Sequence, residues 1–130
     1  MFRRRQYTIN SSWDCVLCPD GKEETLDHLF FDCLFSRHCW TSLGIAWDMN
    51  LPLFDRLRQV STSWRGGLFW ETFILAAWSL WQTRNAKIFE NKAPALGHWK
   101  ARLKTDLALL AFRSQKEEFK SKLAIILAAL

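Results

Sequence analysis

The chain has 130 residues, the length of one domain, and 49% of them are hydrophobic, which is enough for a single core. Eight tryptophans and ten phenylalanines exclude a disordered tail, and the longest apolar stretch, Leu68 to Trp81, contains Glu71 and is too short to cross a bilayer. The formal net charge of +5 is uneven: residues 1–50 hold five basic and seven acidic side chains, residues 51–130 hold thirteen and six.

Residues 1–12 read as a basic arm carrying Arg3, Arg4 and Arg5 and no acid. The opening Met-Phe-Arg-Arg-Arg lacks the apolar run of a secretory signal, so the chain is expected inside the cell, in nucleus or cytoplasm. Three arginines, two serines and no acid in the first thirteen residues also have the composition of a mitochondrial presequence.

Residues 13–46 read as a zinc knuckle. Cys15, Cys18, His28 and Cys33 follow the spacing C-x2-C-x9-H-x4-C, and three sulfurs with one imidazole complete a tetrahedron around one Zn2+. Such a set leaves no position for substrate and argues for structure or binding. A disulfide framework would need an oxidising compartment, and a thioredoxin-type pair would need a helix start after a strand rather than the turn Pro19-Asp20-Gly21. Two other donors compete for the fourth position: Cys39, giving C-x2-C-x14-C-x5-C, and its neighbour His38. His28 is preferred, because Cys39 falls inside an apolar run where a spare thiol packs easily. Asp14, Asp20, Glu23, Glu24, Asp27 and Asp32 face only Lys22 here and read as a solvated acidic surface that repels phosphate. Zinc with three thiolates adds a further −1.

A mainly α fold is expected beyond: the knuckle, with its short extended segment Trp13 to Leu17, packs on a bundle of four to five helices over residues 47–130, as one cooperative domain. Thr25 caps a short helix with His28 on its second turn; Ser36 caps the next, which Gly44 ends; Asn50 and Pro52 start a third, reaching about Val60. Leu68 to Glu90 is the central helix, with Phe69, Trp70, Phe73, Ile74, Ala77, Leu80, Trp81 and Ile88 on its packed face and Thr72, Ser79, Thr83 and Glu90 on the opposite edge. Arg84 falls in the apolar sector, where it pairs with a carboxylate of the zinc lobe or stacks on Trp81; otherwise its stem lies along the core and its head reaches water. After Pro94 a last helix carries the stripe Trp99, Leu103, Leu107 and Leu110, with Arg102, Arg113, Lys116 and Lys120 clustered on another side. Residues 123–130 are apolar all round, either buried by the fold or offered to a protein partner.

Catalytic motifs are missing. The sequence has no Gly-rich phosphate loop, no G-x-S-x-G elbow and no acids placed to converge on two metal ions, and His98 stands alone beside Trp99. A non-catalytic protein with no small-molecule substrate is expected.

Cys15-Val16-Leu17-Cys18, then the run from Glu23 to Cys33 with Asp27-His28 at its centre, then Phe35-Ser36 and Trp40, resembles the zinc-binding domain downstream of reverse transcriptase in plant LINE-type (non-LTR) retrotransposons. Trp78-Ser79-Leu80-Trp81, followed by Arg84-Asn85 and Phe89, resembles the Trp-Arg-Asn helix that follows the knuckle in those elements, and the three arginines match the basic segment before it. The resemblance implies Cys15, Cys18, His28 and Cys33 as zinc ligands, leaves Cys39 spare, and implies descent from a polyprotein that handles RNA and DNA. Tyr7 is the sole tyrosine, so the Tyr-x-Asp-Asp polymerase site is absent and a stand-alone fragment is expected. Two uses follow: RNA or DNA binding through Arg3, Arg4, Arg5, Arg102, Arg113, Lys116 and Lys120, or protein binding through residues 123–130.

Overall fold

A computed structural model describes residues 13–130. Arg3, Arg4 and Arg5, and with them the readings of the basic arm, lie outside the described residues. The architecture is mainly α: a π-helical turn, His28–Asp32, precedes α1 (Leu34–Ser42), α2 (Leu53–Ser63), α3 (Phe69–Glu90), α4 (Leu96–Arg113) and α5 (Glu117–Ala129). Among the described residues, strand pairing is limited to one antiparallel bridge, Asp14 with Glu23.

The ends of the helices have local causes. Gly44, at φ +76°, takes the left-handed position after α1, and Asn91, at φ +54°, does the same after α3. There the Asn91 and Lys92 amides both donate to the Ala86 carbonyl, the latter at 3.1 Å, so this carbonyl is satisfied past the helix end. Pro52 immediately precedes α2, which runs to Ser63, three residues past the expected end. Cys33, not Ser36, stands at the start of α1; Ser36 is buried and its hydroxyl donates to the Leu29 carbonyl.

The central helix is packed on two sides, which corrects the one-sided reading. Thr72, Ala76, Ser79, Thr83 and Ala86 recur every three or four residues and are buried. Their small side chains let α4 approach closely. The Trp99 indole donates to the Ala76 carbonyl at 3.1 Å, and the Ser79 hydroxyl donates to the Trp99 carbonyl at 3.0 Å. The Thr83 hydroxyl donates to the Ser79 carbonyl at 2.8 Å and accepts from Arg102 at 3.2 Å. Hydroxyls with such partners are buried at little cost. Phe69, Phe73 and Leu80 turn instead toward the aromatic core, where the Phe73 ring stacks on Trp40 at 5.5 Å and meets Trp47 edge-on at 5.7 Å. Trp70 and Ile74, expected on the packed face, look outward, as does Trp78.

The last expected helix is two. Ser114 ends α4, its hydroxyl accepts the Lys116 amide at 3.2 Å, and Glu117 and Glu118 open α5, where acids suit the positive end of a helix. Arg102 and Arg113 therefore lie on α4, Lys120 on α5 and Lys116 between them, so the four cations do not share one helix face. Trp99, Leu103 and Leu107 are fully buried, with Leu110 half-buried beside them. Of the apolar C-terminal run, Leu123 and Ile126 complete the core and Ile125 faces outward.

Candidate metal centre

The knuckle is assembled by backbone hydrogen bonds. The Cys15 amide donates to the Lys22 carbonyl and the Glu24 amide to the Trp13 carbonyl, both at 2.8 Å. These fold the chain back through Gly21, at φ +70°, a backbone conformation natural to glycine. Thr25 accepts the His28 amide on its hydroxyl at 3.1 Å and so caps the turn that carries His28, which puts His28 in the first turn rather than the second. The Cys33 amide then donates to the His28 carbonyl at 2.7 Å, closing one wide i→i+5 turn. Cys33 thus stands between this turn and the first amides of α1.

Cys15, Cys18, His28 and Cys33 converge, with their ligand atoms all within 4.8 Å of one another. Cys15 and Cys33 place their sulfurs 3.8 Å apart, and Cys18 Sγ lies 3.3 Å from His28 Nε2. A tetrahedral site with Zn–S bonds of about 2.3 Å has S···S edges of about 3.8 Å, so the donors fit the ion in type and in spacing. Left to themselves, the thiols hold charge unevenly. The hydrogen bond from Cys15, helped by the amides of Ser36 and Phe35 at the start of α1, brings the Cys33 thiol down to about 5. The same contact, with burial, pushes Cys15 well above the ordinary thiol range, and burial raises Cys18. A divalent cation at their centre is what lets all three ionise together. His28 presents Nε2 to the sulfurs and Nδ1 toward Asp32, whose Oδ2 is 3.6 Å away. Zinc-ligating histidines are commonly oriented by a carboxylate on this second nitrogen.

Cys39 is elsewhere. It is fully buried in the main core, where burial raises its thiol, and His38 is exposed on α1. All four cysteines are free thiols.

Among the described residues, two ion pairs fasten the lobe to the helical body. Arg84 donates from Nε and Nη2 to the two carboxylate oxygens of Glu24, each at 2.9 Å, while its guanidinium lies 4.5 Å from the Trp81 ring centre. Glu24 is 0% exposed, so this acid is not part of a solvated surface, a correction to the reading of the acidic cluster. Pairing and stacking, set as alternatives for Arg84, occur together. Arg56 on α2 was not singled out by the sequence: it is buried, donates to Asp27 at 3.0 Å and to the Leu51 carbonyl at 3.1 Å, and lies over Phe31. Its signal was one arginine beside apolar Leu57 and Val60, facing a lobe with acids to spare.

Residues 2–40 match the protein family described as zinc-binding in reverse transcriptase. The matched span takes in all four converging donors. Its N-terminal lobe is a zinc-binding module, with Cys15, Cys18, His28 and Cys33 positioned to take the metal. Residues 41–130, including the Trp78 to Phe89 segment, lie outside the matched span. Neither the curated proteins nor the solved structures include one that matches this chain. Among the described residues, no helix is long and apolar enough to cross a membrane.

Proposed function

We propose that the chain is a non-catalytic zinc module descended from a plant LINE-type retrotransposon polyprotein, acting as an accessory nucleic-acid-binding protein. Cys15, Cys18, His28 and Cys33 hold one Zn2+, which fixes the fold of the knuckle against the helical body, and residues 13–46 and 47–130 fold as one unit. The observation that carries this reading is the convergence of four zinc donors inside a segment that matches a reverse-transcriptase zinc-binding family. A site closed by four protein donors offers substrate no coordination position. Nucleic acid is favoured by that ancestry and by thirteen basic against six acidic side chains in residues 51–130. The acidic lobe turns phosphate away, so contact falls to Arg3, Arg4 and Arg5 and to Arg102, Arg113, Lys116 and Lys120.

Titration of zinc-loaded protein with single-stranded and duplex oligonucleotides over a range of salt tests this. Affinity should fall steeply with salt, and neutralising Lys116 or Lys120 should lower the log–log slope by about one each. Binding indifferent to salt and to these changes would refute the nucleic-acid reading and leave the zinc site untouched.

A second use, docking on another protein, draws on the exposed apolar side chains of α3, α4 and α5. Residues 123–130 serve it less well than their composition suggests, because Leu123 and Ile126 are already in the core.

A further inference from the structure

Between α3 and α4 lies an open apolar groove on the side of the molecule not covered by the other helices. Ile74 and Trp78 on α3, 60% and 51% exposed, face Leu109 and Leu110 on α4. Ile74 and Trp78 also border a second apolar hollow that runs on to Phe30 and Trp81, so the surface continues toward the zinc lobe. A continuous apolar surface of this kind is rare on a monomer and marks a contact.

Three charges stand at the groove: Glu71 on α3, and Asp106 and Arg113 on α4. Asp106 and Glu71 are half-buried, and among the described residues none of the three makes an ion pair. Along α4 the order is acid, leucine pair, base: Asp106 one turn before Leu109 and Leu110, Arg113 one turn after. The acid and the base are about 10 Å apart along the helix. A uniformly basic partner would leave Arg113 opposed, and a uniformly acidic one would oppose Asp106 and Glu71. The surface that satisfies this order is a helix carrying the same order reversed.

We infer that the groove is the interface of a two-fold homodimer, with α4 lying antiparallel across α4 of a second copy. The axis passes between Leu109 and Leu110, so each Leu109 meets the second copy's Leu110, and Asp106 meets Arg113 twice over. A parallel arrangement would set like charge on like, so the register selects the two-fold. Trp78 and Ile74 close the sides, as large apolar anchors do at the centre of an interface. Arg113 is then occupied, and of the four C-terminal cations Arg102, Lys116 and Lys120 are left for phosphate.

Sedimentation equilibrium on the zinc-loaded full chain, over a wide concentration range, tests the proposal. The native chain should dimerise. Asp106→Arg and Arg113→Asp should each weaken the dimer by about tenfold or more, and the double variant D106R/R113D should recover it, because reversal restores both pairs. Trp78→Glu should give a monomer. Zinc content and far-ultraviolet circular dichroism should be unchanged in all of these, since each residue has solvent access. A native chain that stays monomeric, single charge variants that dimerise normally, or a double variant no better than the singles would each overturn the two-fold register.

Discussion

Glu24 and Arg84, sixty residues apart in sequence, meet as a two-pronged pair inside the protein, both hydrogen bonds 2.9 Å long. Glu24 follows the strand-like bridge of the knuckle and Arg84 lies in the last third of α3, so the pair joins the metal lobe to the longest helix. Trp81 roofs the guanidinium and stacks on Phe30 at 6.3 Å, which keeps this junction apolar around its charges.

Breaking that pair from one side should be costly, because the other charge is left buried. Glu24→Met and Arg84→Met are each expected to lower unfolding free energy by about 3–5 kcal/mol, and the double variant E24M/R84M by less than the sum. Urea titration of the four proteins at fixed zinc measures this. Losses below about 1 kcal/mol, as for a surface pair, would contradict the buried geometry.

Zinc stoichiometry separates Cys39 from the four converging donors. Cys39→Ala should retain one zinc per chain, whereas His28→Ala and Cys33→Ser should bind the metal far more weakly and melt at lower temperature, as should native protein treated with a chelator. Elemental analysis of the purified variants, with thermal melts, reads both outcomes.

Asp32 faces the far nitrogen of His28 at 3.6 Å. His28 Nδ1 is buried without a hydrogen-bond partner among the described residues, and Asp32 is the carboxylate placed beside it. Replacing Asp32 with asparagine removes that charge, and zinc affinity should drop by about tenfold or more while the fold at saturating zinc is preserved. Competition against a chromophoric chelator gives the affinity, and circular dichroism with zinc in excess gives the fold.

The seam between α3 and α4 has no room for bulk. Ala76 is fully buried, and its carbonyl receives the Trp99 indole. Ala76→Leu should therefore destabilise by about 1–3 kcal/mol, while the same change at Ala108, exposed on α4, should be nearly neutral. Chemical denaturation of the two variants makes the comparison.

Spacing was enough to pick out Cys15, Cys18 and Cys33 as donors but left His28, Cys39 and His38 in competition for the fourth position, and it was the apolar run around Cys39 that favoured His28. Pattern was also enough for α3, whose apolar density and flanking Gly66, Gly67 and Asn91 mark its bounds within a residue. What composition hid was polarity inside the fold. Thr72, Ser79 and Thr83 looked like a wet edge, yet Ser79 and Thr83 bond to nearby carbonyls, and the recurring small residues at 72, 76, 79, 83 and 86 were the available sign. Glu24 looked like one acid among several, and nothing local distinguishes it, since its partner is supplied by tertiary contact. The break after Arg113 passed unseen for the same reason: Ser114 to Lys116 contains neither glycine nor proline, and the turn is fixed by how α5 returns to the core.

The wide turn His28–Asp32 has a consequence for how this stretch tolerates change. In a regular α-helix, residues five apart point about 140° away from each other, and a histidine and a cysteine so spaced would look in different directions. The extra residue accommodated by the π geometry brings His28 and Cys33 round to the same side. Losing or gaining a single codon between them would swing the cysteine out of reach of its companions, so this loop-like stretch should accept substitutions of chemistry far more readily than any alteration of length.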